Sequence, residues 1–194
     1  MTRGWLSGGL GQAILCGIVA AGIVNIVATF ATPVLVQPRA FDRVAEHLPV
    51  NQLVVLPQTG PQSQLLPYQQ PDMQLAICNY DLSGGGVRAR VVLPSSGWTL
   101  ALYTPDGDNF YVLPGRDQRT TTVDALLVPA GGDALVGLDR PTGGGPAPTY
   151  IQVPETTGLL MLRAPIKGES YRAEIAETLA RASCGREKAR VSAE

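Results

Sequence analysis

Few side chains in this 194-residue sequence have the types and spacing that catalysis requires. The single histidine, His47, stands beside Glu46 in a short amphipathic segment, where a solvated or interfacial imidazole is commoner than a catalytic one. With one histidine and no clustered Cys, Asp and Glu, the ligands of a zinc or other transition-metal site are missing. The sequence therefore predicts no metal and no cofactor.

Nucleophilic catalysis and nucleotide binding also lack their usual signatures. There is no G-x-S-x-G elbow and no second histidine to activate a serine or cysteine. The glycine runs at Gly84–Gly86 and Gly143–Gly145 have neither the Lys-Ser/Thr of a phosphate-binding loop nor a βαβ context, so we interpret them as turns. The sequence therefore identifies no catalytic residue.

Two classes of side chain could still form a ligand surface: aspartates in turns and aromatic residues on strands. Carboxylates that converge in space can act as acid and base without any motif, and exposed aromatic rings can stack on sugars. Solvated turn aspartates and core aromatics are the alternatives for the same residues. The candidate surface comprises Asp81, Trp98, Tyr103, Asp106, Asp108 and Tyr111.

The elements that would position these side chains are predominantly strands. The 22 glycines and 16 prolines, spread between short apolar runs, favour many turns over long helices. In 87–93, for example, four apolar residues alternate with Arg88 and Arg90, which is typical of an antiparallel strand with one core face. Residues 170–182 have helical spacing. The predicted strands are 73–82, 87–93, 98–104, 109–113, 124–128, 150–153 and 158–164.

Ahead of this domain lies a long apolar segment. From Gly4 to Pro38 the only ionisable side chain is Cys16, and Ala13–Val36 is long enough for a helix to cross a bilayer. A cleaved signal peptide is the alternative, with Thr29-Phe30-Ala31 as its cleavage site and Thr32 as the new terminus. We expect the segment to be retained as one transmembrane anchor, because it is longer than a signal-peptide core.

One stripe of this helix carries small and polar groups at intervals of four residues. An amide near the middle of a span is costly without a partner, so the stripe predicts association with another membrane helix. Such small residues are, however, common in membrane helices in general. The stripe comprises Gly17, Ala21, Asn25 and Thr29.

Cysteine usage bears on which side of the membrane the domain occupies. Arg3 and the N-terminal amine precede the span while Arg39 and Arg43 follow it, so the positive charges do not decide its orientation. Outside the span, Cys78 and Cys184 form an even pair. We predict that they form a disulfide between the first core strand and the end of the C-terminal helix, which requires an oxidising compartment. Two reduced structural thiols are the alternative.

These observations divide the chain into four predicted regions. The anchor occupies 1–37, and a juxtamembrane helix with a Pro/Gln-rich connector occupies 38–71. The helix, at 40–48, could lie on the bilayer or pack on the domain. The β-rich domain with its C-terminal helix occupies 72–185, including a Gly/Pro loop at 142–148, and a charged tail occupies 186–194.

Three segments resemble a bacterial family catalogued as domain of unknown function twelve-fifty-four. They are Asp72–Val87, with the sequence DMQLAICNYDLSGGGV, then Gly107–Arg116, and Gly158–Ala164 with the following helix as far as Cys184. Longer members have a polar Asn-Asp-Thr-x-Tyr type sequence near Asp72, of which only Asp72 matches. The resemblance implies a β-sandwich-like domain, with the antiparallel pairing expected above, and a bacterial envelope location. It supplies no reaction.

Two functions from different classes follow from the sequence. The first is a non-enzymatic accessory or interaction protein, anchored once in the bacterial inner membrane with its domain in the periplasm and held against another membrane or envelope protein. The second is a ligand-binding or hydrolytic domain acting on envelope polymers or small molecules. With 15 basic and 16 acidic residues the chain has no field that would attract nucleic acid, so no nucleic-acid partner is expected.

Overall fold

The computed structural model describes residues 4–36, 39–58, 60, 65–66, 69–131 and 147–187. Most of the predicted Gly/Pro loop at 142–148 and of the predicted tail at 186–194 lies outside these residues. Contacts within the chain divide it into two units, residues 1–38 and 39–194.

The first unit is a single helix, α1, which spans Gly4–Val36. Within it the 24 residues Gly9–Thr32 are long and apolar enough to cross a membrane, and they are not buried by other parts of the protein. A signal sequence near the N-terminus can also form an apolar helix of this kind. The structure therefore contains the predicted apolar helix, and its apolar surface has no partner among the described residues.

The second unit contains two β-sheets and two helices. The first sheet, sheet A, has the strand order β1-β2-β8-β4-β5, and the second, sheet B, has the order β7-β6-β3-β9. The strands of sheet A are β1 Leu53–Val55, β2 Met73–Asp81, β4 Thr99–Tyr103, β5 Asn109–Pro114 and β8 Thr157–Pro165. The strands of sheet B are β3 Val87–Leu93, β6 Thr121–Pro129, β7 Thr149–Val153 and β9 Ser183–Arg186. The helices are α2 Ala40–His47 and α3 Arg172–Arg181, the latter preceded by a short 3₁₀ helix, Glu169–Tyr171.

The mainly β fold with a C-terminal helix is thus confirmed, and all seven predicted strands are present. Two further strands, β1 and β9, were not predicted, because three or four residues are too few to show an alternating pattern. Strand β1 lies in the predicted Pro/Gln-rich connector, which therefore contributes to the sheet. Cys184, expected at the end of the C-terminal helix, lies instead in β9.

Strand pairing differs from a simple antiparallel succession of hairpins. The turns at 83–86 and 94–97 carry the chain from sheet A to sheet B and back, so β3 pairs with neither β2 nor β4. Strands β2 and β4 lie in the same sheet, but β8 separates them. Strand β2 pairs instead with β8 over nine residue pairs, from Met73↔Pro165 to Asp81↔Thr157. In sheet B, β6 and β7 run parallel, whereas the other pairs in both sheets are antiparallel. Asp106 and Gly107 lie in the turn of a hairpin between β4 and β5.

The main core lies between the two sheets. The alternating residues of β3 supply four buried side chains, while Arg88 and Arg90 point away from the core. Sheet A contributes Ala76, Cys78 and Tyr80 from β2. Ile175 and Leu179 of α3 join the same cluster, whereas Tyr171, just before α3, is 47% exposed. Burial of these apolar side chains is the principal stabilising term for the domain.

A second apolar cluster covers the outer face of sheet A. Val44 of α2 is fully buried against Ile77 and Leu159, together with Leu56 from the segment after β1. Helix α2 therefore packs on the domain rather than being free to lie on a bilayer. Its first turn is capped by the Asp42 carboxylate, which accepts a hydrogen bond from the Arg39 backbone N–H at 3.1 Å.

Candidate functional site

The aromatic members of the predicted ligand surface lie on different faces of sheet A. Trp98 is 4% exposed and belongs to the core between the sheets. Tyr111, on β5, is half-buried against the same core. Tyr103 points to the opposite side of β4 and packs in the outer cluster with Met161. Alternation along β4 separates Trp98 from Tyr103, because residues an odd number of positions apart in one extended segment project from opposite faces of the sheet.

The aspartates are spread over different contacts as well. Asp81, at the end of β2, accepts a hydrogen bond from the Ser83 backbone N–H at 2.8 Å, which lowers the pKa of its carboxyl. Asp106 forms an exposed ion pair with Arg39 at 2.8 Å, whereas the neighbouring Asp108 side chain is exposed. No described hydrogen bond or ion pair joins any two of the six predicted residues, and their aromatic rings belong to two different clusters, so the six do not form one continuous surface.

Tyr103 and Arg163 form a polar pair on the outer face of sheet A that was not predicted from the sequence. Arg163 Nη2 donates to the Tyr103 hydroxyl at 3.0 Å, and Nε lies 3.3 Å from the Met161 sulfur. No carboxylate pairs with this half-buried guanidinium within the described ranges of the chain. An arginine between the apolar residues Leu162 and Ala164 was the signal in the sequence.

Asn51 was also missed, although it holds the edge of sheet A together. Its side-chain Nδ2 donates to the Asp81 carbonyl at 3.0 Å, and its Oδ1 accepts from the Asp81 backbone N–H at 2.9 Å. Asn51 adopts a φ of 56°, a left-handed conformation that asparagine tolerates better than most residues. The amide thus supplies hydrogen-bond partners to the last residue of β2, next to the bridge between Val50 and Asn79.

One polar atom in the core has no hydrogen-bond partner among the described residues. The Tyr80 hydroxyl is fully buried, and burial raises the pKa of this phenol far above its ordinary value. The ring ends against Gly158, where an added Cβ would lie 2.3 Å from the hydroxyl oxygen. Only glycine therefore fits opposite Tyr80 in β8. The phenol at this site is a neutral group, not a base.

Sheet B carries the most extensive described ion-pair network on its outer face. Asp124 accepts hydrogen bonds from Arg88 at 2.6 and 2.7 Å, and Arg90 lies 3.5 Å from the same carboxylate. Glu187 lies 3.4 Å from Arg88. The hydrogen bonds from Arg88 lower the pKa of Asp124. Because each charge is matched by a neighbour of opposite sign, the network is structural in character.

The single histidine contacts its own helix. His47 is exposed at the end of α2, and its Nδ1 lies 2.8 Å from the Arg43 carbonyl of the same helix. In the part of the chain that the structure describes, no three His, Cys, Asp or Glu side chains are grouped to hold a metal ion.

The disulfide between Cys78 and Cys184 is present, with the two Cα atoms 6.4 Å apart. It joins β2 of sheet A to β9 of sheet B, and both residues belong to the core between the sheets. The predicted pairing is therefore confirmed, although its second end is a strand rather than a helix end. Cys16, in α1, is free and exposed.

The four residues of the predicted helix stripe lie on the exposed surface of α1. The Thr29 hydroxyl donates to the Asn25 carbonyl at 2.8 Å, so this hydroxyl is satisfied inside the helix. The Asn25 side-chain amide makes no hydrogen bond to any described residue. A Cβ added at Gly17 would meet no other atom within 4 Å, so the surface there is open.

Two solved structures of bacterial proteins are similar to this chain. In fold the chain is similar to the VPA0106 protein from Vibrio parahaemolyticus, with a TM-score of 0.55, 12% identity, and coverage of 76% of this chain and 34% of that one. It thus spans about a third of that protein's length. A putative uncharacterised protein from Burkholderia cenocepacia has a TM-score of 0.43, 10% identity, and coverage of 80% and 42%.

Among curated proteins, none matches the sequence. The family model described as "Protein of unknown function (DUF1254)" matches residues 50–184, from the bridge that precedes β1 to the second cysteine of the disulfide. The matched segment includes β1 to β8, α3 and the first two residues of β9, and it leaves out α1 and α2. This chain belongs to the DUF1254 family.

Proposed function

We propose that the protein is a membrane-tethered accessory subunit of the bacterial cell envelope, which holds a partner through its transmembrane helix. The observation that carries this proposal is the unsatisfied Asn25 amide in a 24-residue apolar helix. The amide has two N–H donors and one carbonyl acceptor. In hydrocarbon no water can satisfy these groups, so a polar group on a second helix is the means of doing so.

The surroundings of Asn25 support a close helix contact. Gly17 and Ala21 lie two turns and one turn before it on the same stripe, and neither would hold a neighbouring backbone away. The rest of the helix surface consists largely of exposed Leu, Ile and Val, which are compatible with lipid. One narrow polar stripe in an apolar helix gives the association a defined orientation.

The periplasmic side is proposed for the domain because of its disulfide. Cys78 and Cys184 form their bond inside the core, and such bonds persist in oxidising compartments such as the bacterial periplasm.

Membrane co-purification of Asn25→Leu tests the proposal. We expect the substitution to weaken the complex by about five- to thirtyfold, since interhelical side-chain hydrogen bonds contribute about 1–2 kcal/mol in model helices. Thr29→Val is the matched control on the same stripe: its hydroxyl already bonds within α1, so the complex should be retained. Equal recovery of the partner with wild type and Asn25→Leu would remove the basis for the proposal.

N-terminal sequencing of the protein extracted from membranes tests the anchor itself. We expect a terminus at or near Met1, because the apolar helix exceeds the roughly 7–15 residues of a signal-peptide core. A mature terminus at Thr32 would show that the segment is a cleaved signal, and the proposed contact would then be wrong.

A further inference from the structure

An apolar pocket of about 220 Å³ lies between α3 and the edge of sheet A. One wall is formed by Ile175 and Leu179 of α3, and the opposite wall by Leu56 after β1 and Ile166 after β8. None of the six side chains of the predicted ligand surface contributes to it. The pocket is therefore a separate feature of the domain.

The volume of the pocket limits what it can hold. An engineered apolar cavity of about 150 Å³ binds benzene, whereas pockets for drug-sized ligands start at about 300 Å³. A space of 220 Å³ therefore suits a chain of about six to eight carbons, and it is too small for a ring system with substituents. Most of the lining is apolar, so burial of an apolar chain is the main interaction that the pocket can offer.

Polar side chains occur at three positions of the lining, Gln58, Gln74 and Arg172. The Gln74 side chain donates to the Leu56 carbonyl, and this bond braces the wall next to β1. Arg172 is 39% exposed, so its side chain reaches from the pocket lining to solvent. Its Nε binds the Glu169 carboxylate at 2.5 Å, while its two Nη groups have no partner among the described residues. Four N–H donors of this lining residue are therefore left for another partner.

We propose that this pocket binds the apolar chain of a medium-chain carboxylate, with the carboxylate held by Arg172. An arginine can donate two parallel hydrogen bonds to a carboxylate, and the apolar walls remove the chain from water. Glu169 is 83% exposed and occupies only the Nε side of the guanidinium, so a second carboxylate has room at Nη. The head and the chain are thus recognised by different parts of one site.

Fluorine NMR on the full chain in lipid nanodiscs provides the test, with 8,8,8-trifluorooctanoate as the probe and empty nanodiscs as the blank. We expect the trifluoromethyl signal to broaden and shift more with the protein than with the blank. Ala176→Trp places an indole in the pocket and should weaken binding at least tenfold. Ala180→Trp, on the same helix but outside the lining, should bind as wild type does.

The head group is tested with the neutral analogue 8,8,8-trifluorooctan-1-ol. Arg172→Gln should weaken binding of the carboxylate about tenfold and leave binding of the alcohol unchanged, whereas Arg181→Gln should affect neither. Thermal unfolding of each variant separates loss of binding from loss of fold. The pocket would be overturned as the binding site if the wild type bound no more probe than the blank, or if Ala176→Trp bound it as well as the wild type. The carboxylate assignment would be overturned if a folded Arg172→Gln variant lost binding of the acid and of the alcohol equally.

Discussion

The outer faces of the two sheets are covered in different ways. On sheet A, Ile77 and Leu159 lie under Val44 of α2, so β2 is buried on both faces. On sheet B, the outer face at Arg88 and Asp124 carries ion pairs and reaches solvent. The sequences of the strands reflect this difference. Strand β2 has apolar residues on both of its faces, whereas in β3 apolar residues alternate with Arg88 and Arg90. A strand with two apolar faces indicates that a further layer will cover it.

The disulfide joins the two sheets, and its removal should have the largest effect. We expect the double substitution Cys78→Ala/Cys184→Ala to lower the free energy of unfolding by up to about 4–5 kcal/mol, because the bond closes a loop of about a hundred residues in the unfolded chain. Urea unfolding of the variant measures this loss. Cys16→Ser, which removes the free thiol, is the control and should leave the stability unchanged.

Ile77→Ala tests the apolar cover of sheet A. We expect a loss of about 3 kcal/mol, because the fully buried side chain would leave a cavity between β2 and α2. Val112→Ala, on the outer face of the same sheet but 51% exposed, should cost less than about 0.5 kcal/mol. If urea unfolding gave the two variants similar stabilities, α2 would not cover this face in solution.

Asp124→Asn tests the ion pairs of sheet B. The folded pKa of Asp124 is lowered, so the folded state binds fewer protons than the unfolded state near pH 4, and stability rises with pH there. This contribution is present above the unfolded pKa of about 3.9 and is lost as the pH falls through the folded pKa. We expect Asp124→Asn to lose about 1–2 kcal/mol above pH 5, and less at lower pH.

Unfolding between pH 2.5 and pH 7 measures this dependence. Asp108→Asn is the control, since its exposed side chain makes no described contact and the pH profile should match wild type. An Asp124→Asn variant that loses the same stability at every pH would show that its effect comes from packing rather than from charge.

Tyr80→Phe should have the smallest effect of the four and the opposite sign. The buried hydroxyl has no partner among the described residues, so its removal relieves a desolvation cost and should stabilise the domain by about 0.5–1 kcal/mol. Tyr111→Phe, at a half-buried position, should be neutral. A destabilised Tyr80→Phe variant in thermal unfolding would indicate that a bound water satisfies the hydroxyl.

Local pattern was sufficient to locate most elements of this protein. Alternation in β3 and the uniform apolar character of α1 follow from neighbouring residues alone, because the periods of helix and strand are properties of the backbone. The pairing of Cys78 with Cys184 also followed from the sequence, since they are the two cysteines outside the span and each was placed on a core face.

Tertiary structure alone decided which strands became neighbours and what covered them. Strand β2 pairs with β8 rather than with β3, and Trp98 lies in the core while Tyr103 lies on the other face. The pocket beside α3 likewise brings together residues from four separate segments. These outcomes depend on how distant apolar surfaces fit when the two sheets and α2 pack together, and no local periodicity contains that information.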